Sequence, residues 1–438
     1  MILRYSLLTI IVIAVFISGG TAVGEVLTLD DCIELALNNH QSVIEARGQV
    51  DLYNGYLWNS AGSAFLPYIS ASGSVRESHA SGLEVVNGIE TGKIVSGVSK
   101  FYGLGISGNM TLFNGGRSIF NYLSARVEKK RMEHLLESTE QDIILTVKQI
   151  YFNFLKAQDQ RKNSEEAVKR GEEQYKLTSS RYEVGSASKS DVLKAKVQYG
   201  TERLTLLATE NAVKTTHADL CYLIGIDVNS DVEYSTQFDQ REYENTEESA
   251  LKYGLANHPG LLASGNNVTS AEYGVKSAWG RFLPSVSISI SRDYSNRSWS
   301  EVSKFRDIDG QWTISTSINI PIFEQFGRKY ELSRSRANLN NARVAQLYTR
   351  NYIAAEIKRA FLEQKRTKQA LQVAEETVAA AEEDFNLIQE KYNLGSATIL
   401  EVLDAQVSLV EAENSQVEAR YDYNLSVASL EKAMGIRR

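Results

Sequence analysis

Proline is scarce in this sequence. The 438 residues include four prolines, and none lies between Arg117 and Gly225 or between Arg328 and Arg438. Proline costs about 3 kcal/mol inside a helix, because it lacks an N–H and its ring clashes with the preceding turn. Two proline-free tracts of this length therefore permit very long helices.

Cysteine is scarcer still, and charge of one sign is in only slight excess. Cys32 and Cys221 are too few for a disulfide framework; they could pair in an oxidising compartment or remain two buried free thiols. The net charge of −7 argues against nucleic acid as a partner. Hydrophobic residues make up 43% of the chain, which excludes a disordered protein.

Long apolar runs are missing outside the N-terminus. There, Arg4 precedes an apolar run from Leu7 to Ile17, and the small residues Ala22 and Gly24 follow. This pattern predicts a secretory signal peptide over residues 1–24. The alternative is a membrane anchor, but the run is about half of the ~20 residues that a spanning helix needs. If the mature protein crosses a membrane, it must do so as β-strands.

The sequence repeats itself. The phrase RYEVGSASKSDVLKA, which begins at Arg181, returns as KYNLGSATILEVLDA at Lys391, an offset of about 210 residues. Further matches follow in the same order. We therefore predict repeat 1 at 25–226 and repeat 2 at 247–438, joined by an acidic linker at 227–246.

Each repeat predicts a pair of β-strands. Apolar residues alternate with small or polar ones, a period of two that is typical of strands between two different media. The predicted strands are 67–76 and 101–113 in repeat 1, and 284–292 and 311–323 in repeat 2. We expect glycine-rich and polar loops at 77–100 and 293–310.

The remainder of each repeat predicts helices. Apolar residues recur with heptad spacing, which is typical of helices that pack along one seam. The predicted helices are 41–65, 117–182, 189–224, 328–392 and 398–434. At 1.5 Å per residue, the longest would span about 100 Å, which favours a layered rod with one continuous and one split helix per repeat.

Four strands are too few to close a barrel, and an open sheet edge is not tolerated in lipid. Either the strands form a small sheet in water, or several chains pool them. Aromatic residues near the strand ends, such as Tyr68 and Trp312, favour the membrane interpretation. Three chains would supply twelve strands, a reasonable number for a transmembrane barrel.

Several short motifs occur twice in the same order. A-L-N-N-H at Ala36 is answered by L-A-N-H-P at Leu255, and each repeat has F-L-P before its strands and Y-x-x-G-S-A-[ST] at its turn. The first strand pair exits through F-N-G-G-R and the second through F-E-Q-F-G-R. From about Leu27 to Ile436, the chain resembles the TolC family of outer-membrane efflux and secretion channels.

The resemblance implies an α+β membrane protein that forms a homotrimer. Its four strands per chain would form a shared twelve-stranded barrel in outer-membrane lipid, and its long antiparallel coiled coils a tunnel across the periplasm. The expected partners are a periplasmic adaptor (membrane fusion protein) and an inner-membrane pump of the resistance-nodulation-division (RND) or ATP-binding-cassette (ABC) class. The channel would serve tripartite efflux or type I secretion. The sequence does not identify the cargo.

The repeated phrase is interpreted as the helix-to-helix turn at the periplasmic tip. Gly185 and Gly395 supply the backbone freedom that reverses the chain. By resemblance, these glycines and the following Ser186 and Ser396 are expected to dock the adaptor. The alternative is that the glycines only cap helices.

The resemblance also implies an acidic ring and a closing link near this tip. Glu401 and Asp404 match the ring, where threefold symmetry would gather six carboxylates and raise their pKa values. Alternatively, these acids simply favour a helix start.

For the link, Tyr392 matches the family's tyrosine, and Asp191 with Ser190 matches its partner region. The family's best-known member has an arginine two residues after the turn glycine; this position is Ala397 here, which leaves the mode of closure open.

Two other classes of function are less consistent with the sequence. G-L-G-I-S-G, from Gly103 to Gly108, matches a dinucleotide fingerprint but lies inside a predicted strand. The five histidines lack metal-ligand spacing, and His40 and His258 are expected to make structural hydrogen bonds beside a helix break. We therefore expect no catalytic, cofactor or metal site. A structural coiled coil or adhesin would share the heptads but would not need strands with a lipid-compatible face.

Overall fold

The computed structural model describes residues 26–86, 88–230, 232–236, 246–304 and 310–437. The predicted signal peptide and half of the predicted linker lie outside these residues. The helices are α1 (Leu29–Asn39), α2 (Gln41–Phe65), α3 (Arg117–Glu183), α4 (Lys189–Ile224), α5 (Glu247–Asn257), α6 (Pro259–Gly280), α7 (Trp299–Val302), α8 (Gly327–Asn393) and α9 (Ile399–Ala433). The strands are β1 (Tyr68–Val86), β2 (Ile89–Phe113), β3 (Ser285–Asn296) and β4 (Gly310–Asn319).

The long helices agree closely with the sequence prediction. Both α3 and α8 contain 67 residues, uninterrupted by proline or by an internal glycine break. The predicted fold class, long helices with four strands, is confirmed. Among the described residues, no helix is both long enough and apolar enough to span a membrane.

The strands form one antiparallel sheet in the order β1-β2-β3-β4. Three predictions about them were wrong. The predicted loop at 77–100 is mostly strand, because β1 continues to Val86 and β2 begins at Ile89, and the two pair as far as these residues. In the predicted loop at 293–310, β3 continues to Asn296 and the short helix α7 follows. Moreover, β4 ends at Asn319 rather than at residue 323; Pro321, which has no N–H to donate to a ladder, lies just beyond that end.

The register gives the sheet two different faces. Ile290 pairs with Gly108 on one side and with Ile314 on the other, whereas Ser291 pairs with Ser107 and Thr313. One face is therefore largely Ile, Val, Leu and aromatic, and the other largely Ser, Gly, Thr and Asn. The apolar face is exposed in the single chain: Ile69, Ile106, Ile314 and Ile318 are each at least 60% exposed.

The chain divides into two compact units. Within the described residues, the sheet unit comprises 45–138 and 254–355, and the helical unit comprises 26–44, 139–253 and 356–437. In the helical unit, Cys32 and Cys221 are both buried and are free thiols. Burial raises the pKa of the Cys32 thiol to about 12, so this thiol is protonated at neutral pH.

The histidines beside the helix breaks make the expected structural hydrogen bonds. Nδ1 of His40 accepts from the N–H of Ser42 at 3.3 Å, and Nδ1 of His258 accepts from the N–H of Gly260 at 3.1 Å. Both side chains therefore satisfy backbone donors at a helix start. Among the described residues, no group of three or more His, Cys, Asp or Glu side chains is arranged to hold a metal ion.

Candidate functional site

The two helix turns of the helical unit have the same backbone conformation. Gly185 and Gly395 both have a φ of 79°, a left-handed conformation that side-chain-bearing residues rarely adopt. The N–H of Ser186 donates to the carbonyl of Arg181 at 2.8 Å, and Ser396 repeats this bond at 2.9 Å. Together with a bond from each glycine N–H, this forms a Schellman motif that ends α3 and α8.

Each returning helix begins with a capping box that sequence reasoning missed. The Ser188 N–H and hydroxyl donate to the Asp191 carboxylate at 3.0 and 2.7 Å, and the Asp191 N–H donates back to the hydroxyl. Thr398 and Glu401 repeat this arrangement, with donor distances of 2.6 and 2.8 Å to the carboxylate. The signal was present in the sequence as S-x-x-D and T-x-x-E.

The capping boxes lower the pKa of both carboxyl groups. For Asp191 the main cause is the Ser188 hydroxyl, followed by the Ser188 N–H; for Glu401 it is the Thr398 N–H, followed by its hydroxyl. In the single chain, the pKa of Glu401 is thus shifted in the direction opposite to the one expected for an assembled acidic ring. The helix-start interpretation of Glu401 has direct structural support.

Both residues of the expected ring lie on the solvent side of α9. Glu401 and Asp404 are exposed, whereas Val402 and Leu403 between them are buried. The two side chains share one exposed face of α9, although the Glu401 carboxylate is held by Thr398 in the capping box. Their role in a ring stays a prediction, because it depends on neighbouring copies.

Tyr392 lies in a different environment from the one expected of a closing link. Its side chain is 6% exposed and packs in a core cluster with Ile399, Val402 and Leu403. The hydrogen bonds of the Asp191 carboxylate run to Ser188 within its own helix start. Among the described residues, Tyr392 and Asp191 are thus not brought together by a hydrogen bond, and Ser190 is exposed.

Arg181 contacts the tyrosine instead, which sequence reasoning also missed. Its guanidinium lies over the Tyr392 ring at 4.3 Å, an attractive cation–π geometry. It also donates to the Tyr392 carbonyl at 3.1 Å and to Oδ1 of Asn393 at 3.2 Å. Ala397 packs on the same core cluster. Within one chain, a guanidinium from the first turn therefore ties the end of α3 to the end of α8.

The sequence profile described as outer membrane efflux protein matches residues 32–226 and 251–436. The chain is 24% identical over 417 residues to the probable efflux pump outer membrane protein TtgC of Pseudomonas putida, covering 93% of this chain and 82% of TtgC. It is also 24% identical over 336 residues to the outer membrane efflux protein BepC of Brucella suis biovar 1, covering 76% of this chain and 72% of BepC.

A solved structure shares the fold. The outer membrane channel CmeC of Campylobacter jejuni superposes with a TM-score of 0.79 at 19% identity, covering 93% of this chain and 85% of CmeC. The profile match extends over most of the chain and includes both helix turns. The chain therefore belongs to the outer membrane efflux protein family.

Proposed function

We propose that three copies of this chain form the outer-membrane conduit of a tripartite efflux system. The pooled strands lie in outer-membrane lipid as a twelve-stranded barrel, and the helices belong to the periplasm. A periplasmic adaptor and an inner-membrane pump deliver the cargo. Family membership supports the conduit, and TtgC and BepC are themselves named as efflux proteins.

One observation supports assembly most strongly: residues buried between the repeats have exposed counterparts. Within the chain, α3 packs against α9: Phe152 of α3 lies beside Tyr421, and Leu177 of α3 packs on the cluster that contains Leu403. Phe152 and Leu403 are 5% and 7% exposed. Their equivalents in the other repeat are Leu362 on α8 and Leu193 on α4, which are 52% and 54% exposed. Burying each such leucine is worth roughly 1.5–3 kcal/mol.

The exposed counterparts imply how copies meet. Because α8 is the repeat equivalent of α3, and α4 that of α9, the α3–α9 contact within one chain has an equivalent between α8 of one copy and α4 of the next. This is a head-to-tail interface, which forms a closed ring when the rotation closes.

A polar pair inside the chain supports the same arrangement. Asn163 on α3 donates to Asn414 on α9 at 3.3 Å. The equivalent positions hold Val373 and Leu204, which are 60% and 69% exposed. Between copies, the same geometry would therefore bring two apolar side chains together.

The sheet also needs neighbours. Its apolar face is exposed in the single chain, and contiguous exposed apolar surface marks a site of contact with lipid or with other chains. Its outer strands, β1 and β4, each have one partner within the chain. Pooling strands from three copies would pair both edges, as lipid requires, and would turn the serine- and glycine-rich face toward an aqueous lumen.

The helix turns are the proposed control point. Three copies would bring three Glu401–Asp404 pairs together and favour cations in the lumen. Gly185, Ser186 and their counterparts would contact the adaptor, and Tyr392 with Asp191 would belong to the closing link. Displacement of the turns by the adaptor would then open the passage.

Purification from detergent-extracted outer membrane tests this proposal. We expect a trimer by chemical crosslinking and native mass spectrometry, conductance in planar bilayers, and increased drug sensitivity when the gene is deleted. A stable, non-conducting monomer would contradict the proposal and favour a structural coiled-coil protein.

A further inference from the structure

A buried carboxylate lies where three helices of the helical unit meet. Glu202 on α4 is 6% exposed, and its Oε1 accepts hydrogen bonds from Nε2 of Gln406 on α9 at 2.8 Å and from Nε2 of Gln198 at 3.2 Å. Its other oxygen, Oε2, is buried without a hydrogen-bond partner. Unpaired buried oxygens of this kind are rare in folded proteins and are unfavourable when the group is ionised.

The third helix leaves space for this carboxylate. Gly171 lies deep inside the long helix α3, where glycine is otherwise unfavourable. A Cβ at this position would overlap Oε2 of Glu202. The glycine therefore fits the acid, and α3, α4 and α9 meet at one polar junction, defined here as Gly171, Glu202 and Gln406.

The charges around the junction compensate the carboxylate only in part. From α3, Arg170 is the cation that acts on Glu202, but its guanidinium is paired with Glu413 of α9 at 3.3 and 2.9 Å. The groups that reach Glu202 directly from α4 and α9 are the neutral amides of Gln198 and Gln406. Burial raises the pKa of Glu202 to about 6, although Gln198, Arg170 and Gln406 act in the opposite direction.

The second repeat has no such group. Ala381 and Ala412 occupy the positions equivalent to Gly171 and Glu202. A pair of small apolar residues is therefore sufficient for packing at this level of the repeat. Within this chain, the acid is therefore specific to repeat 1.

We propose that Glu202 is a proton-operated release for the junction: its ionised form loosens α4 from α9, and its protonated form holds them together. This inference rests on the proposed function, in which movement of the helix turns opens the conduit. Glu202 lies about 20 Å along α4 from the start of that helix beside the first turn, so a looser junction would free that turn to move.

The direction of the pH effect follows from the raised pKa. The packed junction binds a proton more tightly than separated helices, in which the acid has its ordinary pKa of 4.5. The packed state is therefore favoured most below that value and becomes less stable as the pH rises through about 6. At neutral pH the packed junction is therefore less stable than under acidic conditions.

Hydrogen exchange of the full-length assembled protein at pH 5.0 and 7.5 tests the proposal, after correction for the intrinsic exchange rate. In the wild type, we expect peptides covering 192–210 and 400–412 to exchange on the order of tenfold faster at pH 7.5. Glu202→Gln, which keeps the shape and removes the charge, should exchange slowly at both values. Glu411→Gln, at an exposed position of α9, is the matched control and should behave as the wild type.

A second variant makes repeat 1 resemble repeat 2. Gly171→Ala combined with Glu202→Ala should fold and lose the pH dependence, whereas Gly171→Ala alone should loosen the junction at both values. Retention of the wild-type pH dependence in Glu202→Gln or in the double variant would overturn the proposal. Because this readout is local to one chain, it is independent of conductance: a non-conducting monomer would contradict the proposed function without deciding the role of Glu202.

Discussion

The two repeats have nearly the same turn but different neighbours. Tyr392 at the end of α8 is 6% exposed beneath Arg181, whereas its counterpart Tyr182 at the end of α3 is 46% exposed. Both turns share the Schellman motif and the capping box. Duplication has therefore preserved the backbone geometry, while the side chains have diverged according to whether they face the same chain or a space outside it.

A second difference lies farther from the turns, where each long helix packs beside a returning helix. Repeat 1 has Gly171 and Glu202 where repeat 2 has two alanines, and its acid contacts Gln406 of repeat 2. Identical packing was thus not retained at this level. The comparison separates positions that hold the chain together from positions that are available for assembly or control.

The largest expected effect comes from truncating equivalent leucines. Leu403→Ala removes a buried side chain and should destabilise the helical unit by about 2–5 kcal/mol. Leu193→Ala removes an exposed one and should leave the folded chain nearly unchanged while weakening the trimer. Thermal unfolding by circular dichroism and native mass spectrometry measure the two effects. Equal loss of folding in both variants would contradict the difference between the repeats.

The next effect concerns the contact between the turns. Arg181→Gln removes the cation–π contact and the charge on its hydrogen bonds, and should weaken the α3–α8 tie by about 2 kcal/mol. The matched control is Lys391→Gln, at the equivalent exposed position of repeat 2. Single-channel recordings should show more frequent opening for Arg181→Gln alone. If both variants opened equally often, the Arg181 guanidinium would not be the group that holds the end of α3 to the end of α8.

The two capping boxes should respond equally to mutation, because their geometry is the same in both repeats. Ser188→Ala and Thr398→Ala should each cost about 1 kcal/mol in helix stability. Because the pKa values of Asp191 and Glu401 are lowered, the caps are intact at neutral pH and are lost as the pH falls through those lowered values. Hydrogen exchange at the first turns of α4 and α9 measures this loss. A loss of protection at only one of the two helix starts would contradict the equivalence of the caps.

The smallest expected effect concerns the link inferred from family resemblance. Tyr392→Phe combined with Asp191→Ala should raise single-channel conductance if neighbouring copies bring these groups together. Ser188→Ala is the control, since it disrupts the same cap without removing the carboxylate. Unchanged conductance in the double variant would remove both residues from the closing link.

Much of the fold was predictable from local signals. The proline-free tracts and glycine turns predict the bounds of α3, α4, α8 and α9 to within a few residues. Alternation predicts the two faces of the sheet. The continuation of β1 and β2 through 77–100 was not predictable in this way, because glycine, serine and charged residues obscure the alternation while the backbone ladder continues.

The candidate site was less predictable. Both left-handed glycines and the exposed acids could be inferred from the repeated phrase, and the capping boxes were visible as four-residue patterns. The Arg181–Tyr392 and Glu202–Gln406 contacts join residues more than 200 positions apart. No local pattern identifies such pairs, because their proximity depends on the packing of α3 and α4 against α8 and α9.

Disulfide crosslinking between copies tests the assembly most directly. Leu204→Cys and Val373→Cys would be combined in a chain whose two native cysteines are replaced by alanine. The assembly proposed here predicts covalent dimers and trimers for the double variant and none for either single variant. Linkage within one chain, or no linkage in a protein that remains folded, would contradict a ring in which α8 of one copy meets α4 of the next.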